Sequence, residues 1–278
     1  MDTYKRYDLL MTDADINSCS MTDKALVDPR FTGVEALYGA EAFAKIASAS
    51  ICIVGVGGVG SWCAEACARS GFGTIAIVDL DDVCVTNVNR QIQALTSTLG
   101  ASKCQVLGQR LKDINPSCNV RIVEKFATSK SVTEILSHNY DVIIDAIDST
   151  THKTSLIAAC VSQGLPIVTI GSGGNRSEPS SITVSDLSST EYDPLLQAVR
   201  KRLRQKHNFP RGRGRSFRVP CVYAPLQRKS REGALDRCDG ESVGRRATCN
   251  NGLGSTVITT GTMGFIAVGE ALRIITKA

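Results

Sequence analysis

The chain reads as an α/β protein: a doubly wound, mostly parallel sheet followed by a C-terminal extension that contains a basic helix and loop. Three observations lead there. Between residues 50 and 170, short β-branched runs alternate with helix-length segments. A glycine cluster follows the first run and opens the next helix, which is the Rossmann-like arrangement. Charge is segregated, because twelve Lys or Arg and no Asp or Glu lie between Pro194 and Arg231.

In chain order, residues 1–28 hold six Asp among scattered polar residues and are expected as a disordered extension. Residues 34–47 read as a helix beside the glycine turn. Strands are predicted at 50–54, 74–79, 119–124, 141–145 and 166–170, with helices near 60–70, 101–114, 131–137 and 151–163 between them. Downstream, 180–186 is a candidate further strand, 194–205 a basic helix and 211–218 a loop rich in Gly and Arg. The closing segment, 255–276, is apolar but interrupted by Thr259, Thr260, Thr262, Glu270 and Arg273, which is costly in a bilayer, so a helix buried in the core is expected and no membrane association. Residues 29–278 therefore form one domain, in which 187–250 is a basic and partly flexible insertion.

A chain of 278 residues with 42% hydrophobic composition can bury one large core. Net charge is +5, so removing the twelve clustered cations leaves −7 for the rest, which points to a local anionic partner. The eleven cysteines are spread through predicted strands and helices (Cys52, Cys63, Cys67, Cys160), where thiols act as small apolar groups. No CxxC pair occurs, so a structural zinc site is not expected. That usage, with no basic head and apolar run at the N-terminus, fits a reducing, cytoplasmic location.

Gly55, Gly57, Gly58 and Gly60 follow the strand IVG and open a helix, so backbone can approach a phosphate closely while the helix start supplies free N–H groups. Asp79 ends the next strand, placed for ribose hydroxyls. A bare strand-to-helix turn and a nicotinamide dinucleotide site share this pattern. What separates them is DLDDVCVTNVNRQ, followed by Lys103 in LGASKCQ. Releasing pyrophosphate demands cations on the β- and γ-phosphates, and Arg90 and Lys103 supply them while Asn87 donates a hydrogen bond.

The combination GVGGVGSW, VDLDDV, TNVNRQ, LGASK, INP and DAIDS resembles the adenylating superfamily that contains the ubiquitin-activating enzymes and the bacterial activators of sulfur-carrier proteins, over roughly residues 30 to 175. Within it, RFTGVEALYG, SWCAEACARSGFG and DDVCVTNVNRQIQAL are most similar to the tRNA threonylcarbamoyladenosine dehydratases. Those enzymes use ATP to cyclise the threonylcarbamoyl group on the adenosine beside the anticodon. The resemblance implies ATP and Mg²⁺, with nucleotide contacts at Gly58, Asp79, Asp81, Asn87, Arg90 and Lys103. It also implies that Asp148 of DAIDS lies near the magnesium and the scissile α-phosphate; a helix cap is the plainer role for that residue. Catalytic function is thus expected of Arg90, Lys103 and Asp148.

The chain departs from the carrier-protein branch. That branch has an RYxRQ motif near the N-terminus, whereas here Arg30 is present and Gly33 stands at the second Arg position. Adenylation of the C-terminus of a ubiquitin-like or sulfur-carrier protein is the alternative function, and Cys221 and Cys249 are the candidate nucleophiles it would use. His138, His152 and His207 show no triad pattern. The tract containing Arg200, Lys201, Arg202, Arg204, Arg211, Arg213 and Arg215 is expected to bind tRNA phosphates, with Phe209 and Phe217 available to stack a splayed base. The resemblance further implies a homodimer and, for some relatives, a cysteine desulfurase partner.

Overall fold

The computed structural model describes residues 27–212, 214–226 and 254–277. The expectations for residues 1–26, for Arg213 and for Cys249 lie outside them.

Seven strands form one sheet: β1 Ser50–Val54, β2 Thr74–Val78, β3 Asn119–Val123, β4 Val142–Asp145, β5 Ile167–Ile170, β6 Thr183–Asp186 and β7 Pro220–Tyr223. Their order is β3-β2-β1-β4-β5-β7-β6. All neighbours run parallel except β6 and β7. β1, β2 and β4 are nearly continuous apolar runs because both faces of the central sheet are covered. The connection order reverses between β1 and β4, so a crevice opens beyond their carboxyl ends, where ligands collect in such sheets.

Eight helices are described: α1 Thr32–Tyr38, α2 Ala40–Ser48, α3 Gly60–Arg69, α4 Lys103–Ile114, α5 Val132–Ile135, α6 Thr150–Ser162, α7 Pro194–Lys206 and α8 Val257–Thr276. One core holds Ile51, Ile53, Ile75 and Ile77 against Cys63, Leu107 and Met263 of α3, α4 and α8. The other holds Cys52, Val54 and Ile143 against Leu156, Leu196 and Val199 of α6 and α7. α8 fits closely on α3: a Cβ on Gly264 would lie 2.9 Å from the Val59 carbonyl oxygen. It is the one described helix long and apolar enough to cross a membrane, and 56% of that apolar stretch is buried inside the protein.

Three sequence expectations are corrected. The single helix over 34–47 is two helices, because Gly39 takes φ +86° and ψ 155°, outside helical space. Nor do these helices flank the glycine turn: Phe31 and Phe43 pack at Gly71, beyond the far end of α3, on the opposite edge of the sheet. Finally, Pro220–Tyr223 was not foreseen as a strand, yet it inserts between β5 and β6. Four residues framed by Pro and a short apolar run carry too little periodicity to stand out.

Candidate functional site

The glycine turn joins β1 to α3 at the crevice. Gly55 has φ +88°, and a Cβ there would lie 3.0 Å from the Ala146 carbonyl oxygen. At Gly60 a Cβ would fall 1.8 Å from the Gly55 carbonyl oxygen, so no other residue fits. Above Gly57 the nearest atom to such a Cβ is Gln91 Nε2 at 4.0 Å, which leaves bare backbone facing open space. α3 starts without a side-chain cap, and its Ser61 and Trp62 N–H groups donate to the Gly57 and Val59 carbonyls at 3.1 Å each, so an anion at this helix start would be met by the turn that precedes them. The turn is clamped through Val56, whose N–H donates to Asp79 Oδ2 at 2.8 Å and whose carbonyl accepts from Gln93 Nε2 at 2.8 Å.

The predicted polar residues surround this turn. Asp79 Oδ1 accepts from the Asp81 N–H at 3.0 Å, so both its oxygens hold backbone and each keeps a lone pair outward. Lys103, almost wholly buried at the start of α4, pairs with exposed Asp81 at 2.9 Å. Asn87 is buried, and its Oδ1 accepts from the Cys84 N–H at 3.1 Å. The stem of Arg90 lies over Gly58, with Cγ and Cδ 3.1 Å from where a Cβ would be. Its Nη1 donates to Thr86 O at 2.7 Å and Asn89 Oδ1 at 2.9 Å, and Trp62 Nε1 holds its carbonyl at 2.9 Å. Beside it a cleft of about 500 Å³ runs between Val85, Val88, Asn89 and Ser255.

Across the crevice, Asp148 is exposed and its carboxylate bonds to no described residue. It caps nothing: the N-cap position of α6 is Ser149. Beneath it is a pair that sequence reading missed. Lys153 and Asp145, both 0% exposed, form an ion pair at 2.9 Å. Thr169 Oγ1 also donates to Asp145 Oδ2, at 2.7 Å. The available signal was an acidic residue closing an otherwise apolar strand, VIID, eight positions before a Lys in a largely apolar helix.

The basic tract divides. α7 is capped by Asp193, whose Oδ1 accepts from the Leu196 N–H at 3.0 Å. Asp193 Oδ2 also takes the Ser172 N–H at 2.9 Å and buried Arg176 at 3.2 Å, so α7 starts on the crevice edge. Arg202 bonds Thr151 Oγ1 at the start of α6, Arg200 bonds Thr190 Oγ1, and Arg204 lies 5.1 Å over the Phe217 ring. Lys201, Arg211 and Arg215 are exposed. The 216–219 segment is pinned to Asp186 through Ser216 Oγ, Phe217 N and Val219 N. Asp186 pairs with Pro220, the first residue of β7, so this part of the tract sits on the edge opposite the glycine turn. The expectation that Phe209 and Phe217 stack a base is corrected: both are buried, edge to face at 4.9 Å, in the core under α7.

Cys221 is fully buried in β7, and burial pushes its thiol well above the ordinary range, so it is no nucleophile at neutral pH. Arg176 is shifted the other way, lowered chiefly by burial although Asp193 opposes that.

The sequence pattern of the ThiF family matches residues 32–278. The chain is 39% identical to a tRNA threonylcarbamoyladenosine dehydratase of Haemophilus influenzae, covering 90% of this chain and 94% of that one. It is 41% identical to the Escherichia coli protein of the same name, covering 88% and 92%. The crystal structure of the E. coli tRNA N6-threonylcarbamoyladenosine dehydratase in complex with ATP matches with a TM-score of 0.78 at 40% identity, over 89% of this chain and 94% of that one.

Proposed function

Because the chain belongs to the ThiF family, we propose that it is an ATP-dependent enzyme that cyclises threonylcarbamoyladenosine in tRNA by adenylating the threonyl carboxylate. The observation that carries this reading is the pairing of an anion-ready glycine turn with Arg90 packed directly on it and Lys103 at its flank. A hydride-transferring enzyme has no use for those two cations.

A carboxylate does not lose hydroxide at neutral pH, so ring closure needs a better leaving group. The substrate carboxylate oxygen attacks the α-phosphorus of ATP, the bond to pyrophosphate breaks, and an acyl-adenylate results. A nucleophile within the same threonylcarbamoyl group then attacks the activated carbonyl and expels AMP, a net loss of one water. In this scheme the backbone of Gly55, Gly57, Gly58 and Gly60 cradles the phosphates. Asp79 and Asp81 receive the ribose, Asn87 donates to the phosphates, and Arg90 and Lys103 neutralise the departing pyrophosphate. The cleft beside Arg90 leaves room for the substrate group.

Among the described residues no cluster of three or more His, Cys, Asp or Glu is built for a metal. A lone exposed Asp148 still suits Mg²⁺, which takes one or two carboxylates along with phosphates and waters. Bound there, the ion would supply charge neutralisation at the α-phosphate. Arg200, Lys201, Arg202 and Arg204 on α7, with Arg211 and Arg215 farther down, would meet tRNA phosphates. A second copy of the chain would cover the outer face of α8, where Ile258 and Phe265 are exposed and Phe265 meets Trp62 edge-on at 5.9 Å.

Incubation with ATP, Mg²⁺ and threonylcarbamoylated tRNA, followed by mass spectrometry of the nucleosides, tests the reading. The expected product is lighter by one water. ATP turnover stimulated by a Gly-Gly protein tail, with the tRNA nucleoside unchanged, would replace this function with carrier-protein activation.

A further inference from the structure

We propose that Lys153 and Asp145 are a positioning pair that sets Asp148 against the glycine turn, an inference that rests on Asp148 acting at the reacting α-phosphate. Lys153 Nζ donates to Asp145 O at 3.2 Å and to Ile147 O at 2.9 Å, and forms an ion pair with Asp145 Oδ2 at 2.9 Å. The Ile147 N–H in turn donates to Asp145 Oδ1 at 3.2 Å. The carbonyls of residues 145 and 147 are therefore both turned inward onto one buried cation, and the amide between them is held by its counterion. Asp148 follows directly and emerges with no hydrogen-bonding partner among the described residues. Its placement thus depends on the backbone beneath it.

The same segment touches the glycine turn. The Ala146 N–H donates to Val54 O at 2.9 Å, the Ala146 carbonyl presses on Gly55, and a Cβ on Gly60 would lie 3.1 Å from Ala146 Cβ. Lys153 thereby ties the two loops of the crevice into one unit. A buried ion pair is poor value as a stability device, since well-packed neutral side chains often do as well. What these bonds accomplish that neutral packing would not is the inward turn of the 145 and 147 carbonyls on either side of Ala146.

Turnover with threonylcarbamoylated tRNA and equilibrium binding of ATP are measured for Asp148→Ala, for the pair Lys153→Met with Asp145→Asn, and for all three changes together. The paired change leaves no unpaired buried charge: the new amide keeps its one oxygen for the Ile147 N–H and turns its NH2 to Thr169 Oγ1, which can accept as well as donate. Leu156→Ala, fully buried on the same helix and outside these hydrogen bonds, controls for lost stability. The paired variant should lose at least about thirtyfold in kcat, as small misplacements of a reacting group do, while ATP affinity stays near wild type. Leu156→Ala should keep its kcat, and the triple variant should be no slower than Asp148→Ala alone. Losses that multiply in the triple variant, a paired variant with normal kcat, or an equally slow Leu156→Ala would each overturn the inference while leaving Asp148 in its role. Normal turnover by Asp148→Ala would remove that role and the inference with it. If the paired variant does not fold, Lys153→Arg replaces it: the guanidinium displaces the 147 carbonyl, so reduced kcat with ATP binding retained supports the proposal and wild-type values for both overturn it.

Discussion

Arg90 is fixed at three points, by Gly58 under its stem, by Thr86 and Asn89 at Nη1, and by Trp62 at its carbonyl. Such preorganisation is what makes a cation effective against charge that develops only as pyrophosphate leaves. Arg90→Ala should therefore lower turnover by about a hundredfold in steady-state assays, with the urea midpoint nearly unchanged; near-normal turnover would remove Arg90 from the mechanism. Cys221→Ala should leave turnover intact and cost about 1 kcal/mol of stability from the void it leaves, since its buried thiol cannot ionise near neutral pH. Arg90 and Lys103 were legible because a motif gathers them in sequence. Asp145 and Lys153 were not, because a strand-end Asp and a helical Lys ordinarily face water, and only the packing of β4, β5 and α6 buries them together.

α7 shows the same contrast at the level of an element. Its helical period and Pro194 at the first turn announce it, but which of its basic residues stay exposed, as Lys201 does, and which bond within the fold, as Arg200 and Arg202 do, shows only once neighbours are in place. Asp193 both caps the helix and neutralises Arg176, so Asp193→Ala leaves a buried guanidinium unpaired and should cost about 3–5 kcal/mol, read as a lower urea midpoint. Asp193→Asn keeps the cap and should recover about 1 kcal/mol of that. Asp186 is a second anchor. Burial raises its pKa, yet hydrogen bonds from Ser188, Phe217 and Ser216 outweigh that and hold it below the ordinary 3.8. Its stabilisation is thus fully present above that value and is lost as pH falls through the lower folded one. Asp186→Asn should flatten the acid limb of the stability curve below about pH 4; an unchanged limb would show that the carboxylate contributes nothing there. Gly39 makes the opposite point, since a lone glycine inside a helical pattern reads as tolerated until its φ is seen.

For the molecule as a whole, alternation of strand and helix was enough to specify the sheet through β5: β1, β2, β4 and β5 bury both faces and write that burial as apolar runs, and β3, at the sheet edge and mostly exposed, follows from its β-branched residues. The antiparallel margin was harder, because β6 is half exposed and β7 is four residues long. The polarity of charge has a measurable consequence. Binding of tRNA should weaken steeply with salt, and removing the charges of Lys201, Arg202, Arg211 and Arg215 should reduce the log–log slope by about 0.7–0.9 per lost contact; a slope that does not move would detach this tract from RNA. Phe265→Glu, on the outer face of α8, should shift the sedimentation coefficient to that of a single chain if a second copy covers that face. Seven of the eight described cysteines are buried and reduced, and burial raises the thiols of Cys104 and Cys160 to about 12. Each such sulfur is silent to alkylating reagents until its shelter opens. A timed iodoacetamide pulse with peptide mapping would then register the opening of both cores, Cys63 and Cys104 keeping time for one face of the sheet and Cys160 and Cys221 for the other.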